Sequence, residues 1–347
     1  MRLIDSRRLT GVNLDLDVPG AIAEVAFDPE DDIAQLLAQW HARIGEATEA
    51  LGWPCARVVR RYADGRGAAL VFAAPPDALY LATDINDWAL DPAARPLCDL
   101  LPDWQAAAER ERVPGLAALE GAARERDLPL LLDDDYLTLG SGAGARTWPR
   151  KAAPRREDVP WDSLRAIPVA LVTGTNGKTT TARMLARIAR SAGHVPGNTS
   201  TDGLAIDEQV VEPGDWTGPG AARIVLRDPR VTLAVLEVAR GGILRRGLAV
   251  DRCGVACITN IGADHLGEYG VDDLATMARV KAVVARVVRP GGRIVLGADS
   301  PELLALPTDA FPAPVAWFSR DPDHPRLASH RSAGGDTFFV SRDGLLT

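Results

Sequence analysis

Apolar and polar positions along this chain fall into two textures, and the change between them lies near residue 165. Over residues 29–51, Ile33, Leu36, Leu37, Trp40, Ile44 and Ala47 recur at helical spacing. The pattern predicts an amphipathic helix, with Asp31 and Asp32 in the first turn, where acids are favoured. Two β-like runs follow at 57–62 and 68–73, and Asp64-Gly65-Arg66-Gly67 between them predicts a hairpin. A third β-like run, 78–85, follows the Pro75-Pro76-Asp77 turn. Residues 103–127 predict two short helices broken at Pro114-Gly115, and 128–139 a pair of strands. Residues 1–148 thus read as a small α+β unit, and 149–164, rich in proline and charge, as a linker.

From residue 165 apolar strands alternate with helices. Residues 169–173 form a short strand that runs into a glycine-rich loop and a helix over 179–192. The runs 231–238 and 255–259 read as strands of the kind buried on both faces. A helix over 272–288 leads through Pro290-Gly291-Gly292 to a strand at 293–296. This order predicts an α/β fold over 165–310, a doubly wound, mostly parallel sheet, with an extension at 311–347.

Composition adjusts this picture little. A chain of 347 residues, 46% hydrophobic and 25% charged, has room for about two globular domains. The net charge of -8, with both signs interspersed, argues against a nucleic-acid surface. No apolar run approaches the ~20 residues of a membrane span, and the opening Met1-Arg2-Leu3-Ile4-Asp5 does not read as a signal peptide. Cys55 and Cys98 are isolated, and Cys253 and Cys257 sit in an apolar run, so reduced thiols and a cytoplasmic location are expected. Gly140-Ser141-Gly142-Ala143-Gly144 has the spacing of a dinucleotide loop, but Thr147, Trp148 and Pro149 follow too soon for the helix such a loop must open. It reads as a flexible turn.

The strongest chemical signal is Gly174-Thr175-Asn176-Gly177-Lys178-Thr179-Thr180, between a buried strand and a helix. Gly174 and Gly177 let the backbone curl so that its amides point at a phosphate at the helix start. Lys178 is placed to reach the β- and γ-phosphates, and the Thr179 hydroxyl to ligate Mg²⁺. The general pattern has a further glycine five positions before Gly177, where Val172 stands. Glu237 ends a buried strand, which puts a carboxylate where open α/β sheets bind ligands. Arg240, Arg245 and Arg246 form a cationic cluster suited to anions.

Further segments follow in order: Thr199-Ser200-Thr201-Asp202-Gly203, Gly214-Asp215-Trp216-Thr217-Gly218-Pro219, Leu236-Glu237-Val238-Ala239-Arg240-Gly241-Gly242, Thr259-Asn260-Ile261-Gly262-Ala263-Asp264-His265-Leu266-Gly267 and Ala278-Arg279-Val280-Lys281. With the phosphate loop they resemble the Mur ligase family, and within it the Mur-type half of cyanophycin synthetases, over residues 165–345. The resemblance implies that ATP lies on Gly174 to Thr180, with Asn260 hydrogen-bonded to adenine. It implies Mg²⁺ on Thr179 and Glu237, and a second metal on His265, which Asp264 helps to orient. Lys178, Glu237, His265 and Lys281 become the catalytic set, Lys281 being the place where several Mur ligases carry a carbamate. Thr201, Asp202, Asp215, Thr217 and Arg240 fall where the carboxylate substrate is contacted. A lone histidine or helix lysine is usually structural; the pattern around His265 reverses those odds, while for Lys281 the two readings stay even.

The implied activity is an ATP-dependent carboxylate–amine ligation through an acyl phosphate, with an acidic or peptide-like acceptor and an amino acid as partners. Nucleic acid and membrane are not expected partners, and a homo-oligomer is left open. Arg7-Arg8-Leu9-Thr10-Gly11-Val12-Asn13-Leu14 and its surroundings resemble the N-terminal domain of cyanophycin synthetases, yet there is no room for their ATP-grasp domain before the phosphate loop. Residues 341–347 lie about where a third Mur domain begins, so the expectation is a truncated ligase or one completed by a partner. A catalytically incomplete ATP-binding or regulatory protein and an unrelated P-loop NTPase are the alternatives; Val172 and the 260–265 segment weigh against the latter.

Overall fold

A computed structural model describes residues 1–264 and 266–341. The chain opens with β1 (Arg2–Leu9), β2 (Gly20–Ala26), α1 (Ile33–Leu51), β3 (Arg57–Arg61), β4 (Gly67–Ala73) and α2 (Leu79–Leu90). The four strands form an antiparallel sheet in the order β1-β2-β4-β3. Every residue of β4 is buried, because the sheet is covered on both faces. Ala68, Leu70 and Phe72 pack with Trp40, Ile44 and Ile85, while Ala69 and Val71 pack with Leu9 and Ile22. The Asp32 carboxylate caps α1 by accepting from the Gln35 amide. The hairpin read at 64–67 joins β3 to β4.

The run at 78–85 is a helix, not the expected strand. Leu81, Ala82, Ile85 and Ala89 are buried at three- and four-residue spacing, and Trp40 Nε1 donates to Asn86 Oδ1 at 2.8 Å. An eight-residue apolar run fits both periods, and packing against α1 decides between them.

Next come α3 (Leu97–Glu111), α4 (Leu116–Glu125), β5 (Leu130–Leu132), β6 (Tyr136–Leu139) and β7 (Arg146–Pro149), the strands forming a small antiparallel sheet. The helices break at the expected Pro114-Gly115, with α3 starting earlier and tolerating Pro102. Residues 149–164 make short 3₁₀ turns whose Val159 and Leu164 pack against Leu119, Leu137 and Leu139. The glycine-rich stretch 140–144 is not the flexible turn expected. It is largely buried, and Ser141 and Ala143 donate their amides to the carbonyls of Arg165 (2.9 Å) and Val231 (2.7 Å).

The rest is one nine-stranded sheet. Its elements are β8 (Val169–Thr173), α5 (Lys178–Ser191), β9 (Pro196–Ser200), β10 (Gly203–Ile206), β11 (Gln209–Pro213), α6 (Pro219–Arg227), β12 (Leu233–Glu237), α7 (Arg240–Arg246), β13 (Cys253–Ile258), α8 (Leu274–Arg286), β14 (Val288–Gly297), α9 (Pro301–Leu304), β15 (Val315–Ser319), α10 (Pro325–Ser332) and β16 (Thr337–Phe339). The order is β11-β10-β9-β12-β8-β13-β14-β15-β16. From β9 to β16 neighbouring strands are parallel, and β10 and β11 add an antiparallel edge. This is the doubly wound, mostly parallel α/β sheet that the sequence predicts. Pro290-Gly291-Gly292 bulges inside β14: Cys253 pairs with Val288 and Val255 with Arg293.

The N-terminal unit is stitched to this sheet through α7 and the loop after it. Thr10 N–H donates to Arg246 O and Leu248 N–H to Val12 O, both at 2.7 Å. The buried Arg7 guanidinium donates to Leu244 O at 3.1 Å and pairs with Glu24 at 2.7 Å.

Candidate functional site

The site grows from the carboxyl ends of three adjacent parallel strands. Register places Val172 of β8 beside Glu237 of β12, and Thr173 beside Ile258 of β13. The loop leaving β8 curls tightly for two separate reasons. At Gly174 (φ 147°) a Cβ would strike the Thr259 hydroxyl; Gly177 has open space around it but holds a left-handed φ of 82°. Helix α5 starts at Lys178, so the amides of its first turn lack intrahelical acceptors and face the loop's concavity.

The segment after β13 bolts this loop down. Asn260 Oδ1 accepts from the Asn176 amide (2.9 Å) and its Nδ2 donates to Asn176 O (3.0 Å), while Asn260 O accepts from the Thr175 amide (2.9 Å). Thr259 Oγ1 donates to Asn176 O (2.7 Å), and the Gly262 amide to Thr175 Oγ1 (2.9 Å). Thr259 and Gly262 were not singled out in the sequence, although they flank Asn260 in the segment that was.

Glu237 is 2% exposed, and its Oε2 accepts from Thr179 Oγ1 at 2.9 Å. Its Oε1 is buried with no hydrogen-bond partner among the described residues. Burial pushes the carboxyl above its usual range, against the pull of the Thr179 hydroxyl and the Lys178 ammonium. Thr179 Oγ1 also lies 3.1 Å from Thr201 Oγ1. Lys178 folds back to donate to Thr175 O at 2.9 Å.

Two hard oxygen donors side by side, one of them unpartnered, fit a small divalent cation that takes its remaining ligands from phosphate and water. Among the described residues no group of three His, Cys, Asp or Glu forms a closed metal site. A metal seated here would therefore be completed by its substrate. His265 lies outside the described residues.

Thr179 and Glu237 stand behind Thr201, which with Gly174 and Lys178 lines a cleft of about 670 Å³. Lys281, 4% exposed, reaches it from α8 and donates to Gly174 O at 2.9 Å. Burial, reinforced by Lys178 and Arg240, lowers its ammonium pKa to about 8. Arg240 is buried and pairs with Glu268, a partner the sequence did not suggest. Arg245 and Arg246 also line the cleft, with Asp264 and Glu268 on the same wall. Asp215 lies at the rim and accepts from Thr217 Oγ1 at 2.7 Å. Asp202 points elsewhere, to Arg183 at 3.0 Å, and Thr180 is exposed on α5. The structure thus gathers Lys178, Lys281, Thr201, Asp215, Thr217 and Arg240 around one cleft, joins Thr179 and Glu237 to its wall through Thr201, and leaves Asp202 outside it.

Residues 172–340 match the Mur ligase middle domain. The resemblance read from the sequence is shown for that region. The chain is 53% identical over 169 residues to a cyanophycin synthetase of Synechocystis sp., covering 49% of this chain and 19% of that protein. A cyanophycin synthetase of Crocosphaera subtropica is 49% identical over 176 residues, covering 51% and 20%. The match spans about a fifth of the length of these relatives. Among solved structures, a UDP-N-acetylmuramoyl-L-alanyl-D-glutamate–2,6-diaminopimelate ligase superposes with a TM-score of 0.40 at 20% identity, over 52% of this chain and 39% of that one.

Proposed function

We propose that the cleft is an ATP- and Mg²⁺-dependent centre that ligates a carboxylate to an amine through an acyl phosphate. The observation that carries this reading is the Thr179–Glu237 contact at the phosphate loop, with one Glu237 oxygen buried and unpartnered among the described residues, one hydroxyl contact through Thr201 from a cleft edged by Lys178, Arg240 and Lys281. A free carboxylate is a poor electrophile. Transfer of the γ-phosphoryl group to it creates a leaving group, and amine attack then expels phosphate. Mg²⁺ supplies charge neutralisation on the phosphates during that transfer.

The chain's own groups do the positioning. The loop and the first-turn amides of α5 hold the phosphates, and Lys178 exchanges Thr175 O for their oxygens. Thr179 and Glu237 would hold the metal. Arg240 and Arg245 orient the acceptor carboxylate beside Thr201, Asp215 and Thr217. Asn260 as seen holds Asn176; contact with adenine requires that side chain to let go, so we assign it first to shaping the loop. The second-metal role of His265 rests on the resemblance alone. Lys281, with its depressed pKa, offers the neutral amine that a carbamate needs, and in its absence anchors Gly174.

A cationic cleft and relatives named cyanophycin synthetase point to an aspartate- or glutamate-bearing acceptor and an amino acid as amine. We place the reaction in the cytoplasm; among the described residues no helix is long and apolar enough to cross a membrane. The test is acyl-phosphate trapping. With Mg²⁺, ATP and an aspartate-containing acceptor, hydroxylamine should intercept a hydroxamate. ATP hydrolysis without hydroxamate would make the chain a P-loop NTPase, and tight ATP binding without turnover would make it a nucleotide-binding protein.

A further inference from the structure

A second cavity of about 530 Å³ lies where the four-stranded sheet, the three-stranded sheet and the α6 side of the P-loop domain meet. It shares no lining residue with the nucleotide cleft. Its walls are largely apolar, with Val12, Leu79, Leu131 and Leu248 among them. Most charges on its surface are already matched. Arg8 pairs with Asp134 at 2.7 Å, Glu111 accepts from the amides of Tyr80 (3.0 Å) and Leu81 (2.8 Å), and Arg150 donates to Glu111 O at 2.6 Å.

Two are not. Arg223, on α6, is 6% exposed; one terminal nitrogen donates to Thr10 Oγ1 at 3.0 Å, and its Nε is buried without a partner among the described residues. It forms no ion pair there, and burial lowers its guanidinium pKa to about 10. A buried guanidinium without a bonded anion is costly to keep. Across the cavity wall, Glu120 of α4 is half-buried and accepts no hydrogen bond among the described residues. Burial raises its carboxyl above the usual range. Arg223 is drawn to Asp133 and Asp134 without bonding either, and Glu120 to Arg124 without bonding it, so both groups keep bonding capacity for a ligand.

We propose that this cavity binds a zwitterionic molecule of dipeptide size, its carboxylate on Arg223 and its ammonium group on Glu120. The volume lies within the roughly 300–1,000 Å³ of ligand pockets, and the apolar walls suit the body of such a molecule. The site also touches the cleft's scaffolding. Thr10, which holds Arg223, donates its amide to Arg246 O at the end of α7, and α7 carries Arg240 and Arg245 into the nucleotide cleft. An occupant would thus bear on the element that presents the cleft's cations.

The test uses the whole chain without nucleotide, so it is independent of the ligase reading. Thermal denaturation and calorimetry are run against the free L-amino acids and a panel of dipeptides at millimolar concentration. At least one zwitterion should raise the Tm by about 3 °C at saturation. Arg223→Met should abolish that shift while leaving the ligand-free Tm equal or higher, because it removes an unmatched buried charge. Glu120→Gln should weaken the same ligand by at least about tenfold, and Arg245→Ala, at the nucleotide cleft, should leave it unchanged. No shift from any member, a shift that survives in both Arg223→Met and Glu120→Gln, or a shift lost in Arg245→Ala would overturn the proposal. Should Arg223→Met fail to fold, Glu120→Gln decides the matter alone.

Discussion

In the four-stranded sheet neighbouring strands run in opposite directions, so each edge receives strand beginnings and strand ends alternately. In the nine-stranded sheet β8, β12 and β13 run together, and their ends deliver Thr173, Glu237 and Ile258 side by side. Both sheets are well buried, and β4 is as completely packed as any strand of the larger one. The smaller sheet spends both faces on packing; the larger also leaves a rim where loops with polar groups converge. Parallel register, more than local composition, makes the site.

That contrast can be broken from either side. The largest expected effect is from Lys178→Ala, which should cut nucleotide turnover by about a thousandfold or more and abolish measurable ATP binding; unchanged ATP affinity would refute the phosphate loop. In the other sheet Leu70→Ala should cost about 2–5 kcal/mol of stability by chemical denaturation. It should leave the ATP affinity of the folded protein intact, and a matching loss of affinity would show that the two sheets do not separate packing from chemistry.

Glu237→Gln should weaken Mg²⁺ dependence by about 10–100-fold. Its effect on the ligand-free fold has the opposite sign. The Glu237 carboxyl is raised in the folded chain, so the wild type loses stability relative to the variant as pH rises through that folded value. A variant that is less stable than wild type at neutral pH without Mg²⁺ would mean that Glu237 is structural.

The smallest effect concerns Lys281→Met. With the folded pKa near 8 against an ordinary 10.5, the wild type carries the full penalty of a buried ammonium below pH 8 and sheds it between the two values. Denaturation at several pH values should show the gap favouring the variant closing over that window; a flat difference would mean the lysine is already neutral or well solvated.

How much of this was legible depends on how local each feature is. The strand–loop–helix turn at 173–178 could be read because strand, glycines and helix start must stand at fixed spacing for the chain to curl there. The position of Glu237 could be read because the end of a buried strand fixes where its carboxylate stands. The helix at 79–90 was misread because its apolar run is short enough to fit both periods, and only packing against Trp40 and Ile44 across the core decides between them. The 140–144 turn read as flexible because the acceptors for its amides, Arg165 and Val231, lie far along the chain. Nothing in the sequence marks Asn260 as the clamp on Asn176, or Arg223 as a buried cation, since both depend on contacts between remote segments.

The central claim is that the cleft activates a carboxylate with ATP. Its most direct test is ADP release by the purified chain with Mg²⁺ and ATP, measured with and without an aspartate-containing acceptor and an amino acid such as arginine. The account predicts ADP release that requires the acceptor and is lost in Lys178→Ala. ADP release at the same rate without any acceptor would contradict it.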